Sequence, residues 1–239
     1  MSDSNAQRSR FVHRLFDAIS GRYDLFNRIS SLGLDQGWRR RTIASLRLTP
    51  GMRVLDLASG TGDLSRWAAM DLVPLGGVVA CDFSFPMLRF SRRKFERVPA
   101  AHWHVQLTQA KAEALPFAEQ VFDAATIGFA LRNVSDLDTV FRELFRVMKP
   151  GGRLGLLEFG RASNPLLRAG QKLWLSTGVP LIGALTTGKL WPFTYLRRSI
   201  LRFMVPEEVV RRLKEVGFTQ VKVEPIQGGI VLVYQALRS

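Results

Sequence analysis

An apolar run that leads into a carboxylate and two glycines, VLDLASGTGD at 54 to 63, is the part of the chain best suited to hold a ligand. Val54, Leu55 and Leu57 are residues that a strand buries, while Gly60 and Gly62 permit a tight turn that brings backbone against a bound molecule. Residues 64 to 69 read as a helix start, whose unpaired N–H groups and positive dipole end favour an anionic or polar partner. A second strand pattern, VVACDFS at 78 to 84, carries Asp82 20 residues beyond Gly62, where a carboxylate accepts hydrogen bonds from both hydroxyls of a ribose. Strand, glycines, helix, strand and acid in register describe a nucleoside site.

The ligand is not expected to be a dinucleotide. That fingerprint needs a third glycine for close packing of helix on strand, and Ser65 stands in its place. Asp56, four residues before Gly60, would repel a pyrophosphate and attract an ammonium or sulfonium group. S-adenosylmethionine carries both cations and no phosphate. It is the expected cofactor, with Asp56, Gly60, Gly62 and Asp82 as contacts.

These residues need a frame that places strand ends side by side. From 52 to 159 a strand pattern alternates with a helical one, which favours a parallel sheet covered on both faces. Strands are predicted at 53 to 58, 78 to 83, 104 to 107, 123 to 128 and 153 to 159. Before the last of these, Val140, Phe141, Leu144 and Val147 recur at helical spacing until Pro150, Gly151 and Gly152 end the element. A helix opened by Pro206 and closed by Gly217 follows a long insertion, and strands at 218 to 224 and 229 to 236 complete the pattern. The few residues between those two, near 225 to 229, are too short for a parallel crossover, so the last strand should be antiparallel. The expectation is an α/β fold, a seven-stranded and mostly parallel sheet, read as one domain over 1 to 239. It divides into an N-terminal helical cap (1 to 50), a cofactor-binding core (51 to 160), an inserted substrate cap (161 to 205) and a C-terminal helix and hairpin (206 to 239).

A chain of 239 residues with 46% hydrophobic content can bury a substantial core. Cys81 is the single cysteine, which excludes an internal disulfide framework and a set of thiolate metal ligands and makes a reducing, cytoplasmic compartment the default. No cluster of His, Cys and carboxylate suggests a metal. His13, His102 and His104, the latter two flanking Trp103, are read as solvated or core residues. The uncharged run from 173 to 188 is 16 residues long and interrupted by Gly178, Pro180 and Gly183, too short and broken to span a bilayer. The net charge of +14 is uneven: residues 1 to 50 carry +5, 51 to 159 carry +1 and 160 to 239 carry +8. A neutral core with basic flanks suits a nucleic acid, an anionic membrane surface or plain solubility.

Several segments resemble one family, the ubiquinone and menaquinone C-methyltransferases. They are LFDAISGRYDLFNRISSLGLDQGWRR near the start, VLDLASGTGDLS, AEALPF at 112 to 117, FDAATIGFALRNV at 122 to 134, VMKPGG with LLEF, and QGGIV at 227 to 231. The RYD and ALRNV segments are not general methyltransferase features, and RASNPLLR at 161 to 168 is most like the branch that methylates demethylmenaquinone or its phytylated equivalent. The resemblance implies a Rossmann-like class I fold, S-adenosylmethionine as methyl donor and a prenylated naphthoquinol acceptor in reduced form. A ubiquinone-pathway benzoquinol is the alternative within the family; the sequence leaves a homodimer open.

Carried over by position, Thr61 and Asp82 match cofactor contacts, and Lys111 with Ala112 matches the adenine-side pair. Lysine cannot accept a hydrogen bond from the adenine amino group, so that contact falls to backbone or to Ala112. Gly128 occupies a position that is often Ser, so its contact too would come from backbone.

Methylating a quinol carbon requires ionisation of the neighbouring hydroxyl, alignment of donor and acceptor, and exclusion of water. Arg132 is expected to stabilise the phenolate and Asn133 to orient a hydroxyl, with Asn133 as a helix cap the alternative. Tyr23 and Asp24 belong to a helical lid, in which Asp24 is either a proton acceptor or a helix-end charge. Glu158 faces the pocket or pairs with an arginine. Within the insertion, Trp174, Leu175, Leu181, Ile182, Leu185, Leu190, Trp191 and Phe193 supply apolar surface, and Arg197, Arg198 and Arg202 supply charge. This segment is expected to cover a greasy substrate and to make peripheral contact with an anionic membrane at the inner face of the cytoplasmic membrane; the alternative is a cap simply packed on the sheet. Two readings from other classes are a nucleic-acid-binding methyltransferase and a non-catalytic cofactor-binding scaffold. Against the first, an Asn-Pro-Pro-Tyr type motif after the fourth strand is replaced here by GFALRN, and no nucleic-acid partner is expected.

Overall fold

The computed structural model describes residues 3–72, 75–97 and 104–239. His102 and Trp103 lie outside the described residues. Seven strands form one sheet in the order β3-β2-β1-β4-β5-β7-β6, with β1 Arg53–Leu57, β2 Gly77–Asp82, β3 Val105–Gln109, β4 Phe122–Gly128, β5 Met148–Phe159, β6 Phe218–Ile226 and β7 Val231–Arg238. The first five are mutually parallel, and β7 runs antiparallel to both β5 and β6. The strand reversed at the C-terminus is the one expected from the short connection. β5 begins five residues before its predicted start, because Lys149 to Gly152 bulge between the paired residues Met148 and Arg153.

Alternation along the strands divides the core between two faces. Val54, Val78 and Ala124 point to one side and pack with Ile43, Leu64, Ala68 and Leu72 from helices α3 (Asp35–Ser45) and α4 (Asp63–Leu72). Leu55, Val79 and Ala125 point to the other and pack with Val140, Phe141, Leu144 and Val209 from helices α6 (Leu137–Val147) and α10 (Pro206–Val216). Helix α5 (Phe85–Glu96) lies beside β2 and β3; it is capped by Ser84, whose side chain accepts from the Met87 N–H.

A helical cap sits over the carboxyl ends of the strands and draws on two separate stretches of the chain. Helices α1 (Asp3–Ile19) and α2 (Tyr23–Ser30) come from the N-terminus; α7 (Pro165–Leu173), a π turn (Trp174–Gly178), α8 (Val179–Thr187) and α9 (Trp191–Arg202) come from the insertion. Leu15, Ile19, Phe26, Leu175, Val179, Phe193 and Ile200 form their shared core, with the Phe26 and Phe193 rings 4.3 Å apart. Leu175 and Phe193 are thus packing residues, whereas Leu181 and Leu185 face outward. Among the described residues no helix is long and apolar enough to cross a membrane.

Candidate functional site

Parallel strands deliver their carboxyl ends to one edge of the sheet, and there the chain makes two abrupt turns. Ala58 after β1 and Phe129 after β4 both adopt positive φ, 55° and 56°. Such a conformation is costly for a residue with a side chain and is kept where neighbours enforce it. The Phe129 N–H, for instance, donates to the Leu157 carbonyl. Gly62 continues the first turn at φ 82°, and a Cβ there would lie 2.5 Å from Ser91 Oγ. Only glycine fits that position.

These turns open a cavity of about 90 Å³ lined by Ala58, Gly60, Asp82, Phe83, Met87, Lys111, Ala112, Glu113 and Gly128, with Val12 and His13 of α1 above it. Of the predicted cofactor contacts, Gly60, Asp82, Lys111, Ala112 and Gly128 come together here. Asp82 is held by the Gly60 and Ser84 N–H groups, each 2.8 Å away, one on each oxygen. Burial outweighs those bonds and pushes its carboxyl up to about 6. No ion pair among the described residues involves it, so it retains acceptor capacity for hydroxyl donors, as a ribose requires. A Cβ at Gly128 would stand 2.6 Å from Leu64 Cδ1, so a larger residue there would require the end of that leucine to shift. The cavity therefore fits the nucleoside portion of S-adenosylmethionine.

Three expected contacts are placed differently. Asp56 does not line this cavity: one carboxylate oxygen accepts from the Ser65 N–H and hydroxyl, the other from Thr126 Oγ1, and the residue is fully buried. The expected attraction between Asp56 and a ligand cation is corrected by this geometry, because the carboxylate is spent on joining β1 to α4 and β4. Burial pushes it up to about 6. Ser65, read as a missing glycine, is a partner in that joint. Thr61 is also turned away from the cavity and donates to Asp24 Oδ1 at 2.5 Å. Gly62 shapes the turn without lining it.

A second, larger cavity of about 350 Å³ lies between the sheet edge and the cap, among Leu15, Phe26, Trp38, Phe159, Leu175, Phe193, Leu196 and Ile200. Phe16, Tyr23, Phe129 and Asn133 line both cavities and form the partition between them. Burial raises the Tyr23 phenol above its ordinary range, so it stays protonated and a donor. Asn133 Oδ1 accepts from the Tyr195 hydroxyl at 3.3 Å, which leaves the Asn133 amide N–H groups to donate.

Arg132 lines the larger cavity from a short helical turn, Leu131–Asn133, after β4. Its Nη1 donates to Glu158 Oε1, both residues are buried, and the guanidinium lies 5.3 Å from the Phe159 ring centroid. Glu158 thus pairs with an arginine, one of its two expected roles. Among the described residues, Arg132 Nε is buried without a hydrogen-bond partner. It is a spare directed donor beside an apolar space.

Asp24, expected as a proton acceptor or a helix-end charge, lines neither cavity. It occupies the first turn of α2, accepts from Thr61 and pairs with Lys94 at 2.8 Å; Lys94 in turn bridges to Asp63 at 2.6 Å. This network fastens the N-terminal cap to the glycine turn, and it gives Asp24 no route to a substrate proton. His13, read as solvated or core, instead packs against Phe83 over the smaller cavity, their ring centroids 3.9 Å apart. Burial lowers its basicity. His13, Phe16, Phe83 and Phe129 also line the smaller cavity; Phe129 lies within GFALRN, but nothing local in the sequence marks α1 as part of the site.

A family model described as the ubiE/COQ5 methyltransferase family matches residues 1–238. The ubiquinone/menaquinone biosynthesis C-methyltransferase UbiE of Ectopseudomonas mendocina is 38% identical over 98% of this chain and 91% of its own length. The demethylmenaquinone methyltransferase of Desulfitobacterium hafniense is 33% identical over 98% and 92%. A solved SAM-dependent methyltransferase from Aquifex aeolicus shares the fold at a TM-score of 0.62 and 17% identity, covering 84% of this chain and 89% of that one.

Proposed function

Because the chain belongs to the ubiE/COQ5 methyltransferase family, we propose that it methylates a ring carbon of a prenylated naphthoquinol, converting demethylmenaquinol to menaquinol. S-adenosylmethionine is the methyl donor. The observation that carries the acceptor reading is the partition: a strand-end cavity that presents the Asp82 carboxylate and a larger apolar one meet at four shared residues. Methyl transfer needs donor and acceptor in line across such a boundary, with water excluded.

Asp82 and the backbone around Gly60 would hold the ribose, and the backbone at Lys111 and Ala112 the adenine. When bound, the cofactor supplies an electrophilic methyl group on a sulfonium. The protein's own share is to favour the ionised hydroxyl beside the target carbon. Arg132 does this through its unpartnered Nε–H, a directed hydrogen bond whose full charge is already balanced by Glu158. Asn133 and Tyr23 donate from the partition and orient the ring. Asp24 serves the reaction by keeping the cap closed. The apolar walls accept the isoprenoid tail, and peripheral contact with an anionic membrane would deliver a substrate of this kind.

A second acceptor is favoured by one finding: the relative at 38% identity is named for both ubiquinone and menaquinone biosynthesis. The test is to supply labelled S-adenosylmethionine with demethylmenaquinol, demethylated ubiquinol intermediates or RNA, and to count label in organic and aqueous phases. Label in the naphthoquinol is expected. Label confined to the benzoquinols would transfer the assignment to the ubiquinone pathway, and label confined to RNA would overturn it.

A further inference from the structure

Helix α7 has a composition that should not be stable alone in water, and it is not sheltered by the rest of the protein. Among its nine residues none is buried, and Leu166 and Leu173 are 83% and 65% exposed. The helix is secured at its ends and by its polar side instead. Asn164 caps it, Pro165 opens it, and Gln171 bonds to the backbone of Gly160 and Ala162. Its apolar side is presented outward.

That side continues into the mouth of the acceptor cavity. Leu167, Gly170 and Trp174 line the cavity, as do Leu32 and Leu34 from the turn between α2 and α3. Trp174 Nε1 donates to the Ser30 carbonyl and joins the two halves of this rim. Leu32 holds a positive φ of 54° while 78% exposed, an unusual setting for a large apolar residue. On the insertion side of the rim the charge is of one sign: residues 159 to 206 contain seven Lys or Arg, Arg161, Arg168 and Lys172 among them, and no Asp or Glu. On the other side Asp35, which also lines the cavity, is buried and paired with Arg28 and Arg39.

We infer that α7 and the α2–α3 turn form a docking face for an anionic lipid bilayer, and that the acceptor cavity opens into the lipid through this face. Exposed leucines at a cavity mouth would reach the acyl boundary while the surrounding cations meet anionic headgroups. For the tail that passes through the mouth, the inference rests on the proposed prenylated acceptor; the docking itself has a separate readout. It also relocates the contact, from the whole insertion to α7 and a turn outside the insertion.

The test uses the full chain with phosphatidylcholine vesicles, with and without phosphatidylglycerol, at low salt. The wild-type chain should sediment with the anionic vesicles and much less with the neutral ones. The double variant Leu166→Glu/Leu173→Glu, at positions that do not line either cavity, should partition roughly tenfold or more weakly. It should keep turnover of a short-tailed soluble quinol and lose turnover of a long-tailed quinol in vesicles. Met70→Glu, an exposed site on α4, should sediment like the wild type. Absence of wild-type binding to anionic vesicles overturns the inference, and so does equal binding by the double variant. A dimer seen by sedimentation velocity that the double variant dissociates, without vesicle binding, assigns the face to a second copy and equally overturns it. Failure of the wild type on the short-tailed quinol counts against the proposed reaction and leaves the vesicle result standing.

Discussion

The two cavities are built by different means. The donor cavity is made of turns at strand ends, so its key groups are backbone N–H groups and one carboxylate held by them. The acceptor cavity is made of helices from residues 1 to 50 and 160 to 205, packed on each other by Phe26, Leu175 and Phe193. Sheet register dictates the first, and long-range side-chain packing dictates the second. A ligand recognised atom by atom suits the part set by sheet register, and a greasy tail recognised by volume suits the part that depends on side-chain fit.

The sharpest way to break this contrast is at Glu158, the buried charge below the acceptor cavity. Glu158→Ala should cost about 3–5 kcal/mol of stability by leaving Arg132 unpaired, measured by chemical denaturation. Restoring apolar packing with Arg132→Met/Glu158→Leu should recover most of that stability and none of the methyl transfer. Recovery of activity would show that Arg132 acts only in packing.

The donor side should respond in affinity. Asp82→Ala is expected to weaken binding of S-adenosylhomocysteine by about 100-fold, read by calorimetry, as two charge-assisted hydrogen bonds are lost. The pH dependence has a defined sign. Because burial pushes the Asp82 and Asp56 carboxyls up to about 6, the folded state holds their protons more tightly than the unfolded chain does, and stability falls as pH rises between about 4 and about 6. Ribose hydroxyls favour the ionised form of Asp82, so cofactor affinity should rise over the same window and level off above it. An affinity that is flat from pH 5 to pH 7 would remove Asp82 from the ribose.

The smallest effect is expected at the adenine end. Lys111→Asn provides a side-chain acceptor and should tighten cofactor binding by about 0.5–1.5 kcal/mol. Unchanged affinity would leave that contact to backbone.

The sheet was legible in the sequence because its determinants are local: β1 announces itself through Val54, Leu55 and Leu57, and Pro206 with Gly217 brackets α10. That Gly60 and Asp82 would meet at the strand-end cavity was legible for the same reason. What was not legible depended on pairing. Nothing near Asp56 in sequence says that Thr126, 70 residues away, takes one of its oxygens. Nothing near Asp24 says that Lys94 and Thr61 will claim its carboxylate. Charged residues at a strand end look like ligand contacts until their partners are known, and His13 looks inert until α1 is laid across the cavity.

The Asp56, Ser65 and Thr126 joint has a consequence for redesign. Ser65→Gly would complete a dinucleotide fingerprint on paper. In this chain it would also remove a hydroxyl donor from a fully buried carboxylate, and the exchange would be opposed by folding before any new ligand was offered. The choice of ligand class is therefore guarded from beneath the binding surface, by a wedge of three side chains that lines neither cavity and makes neighbouring specificities hard to reach by single substitutions.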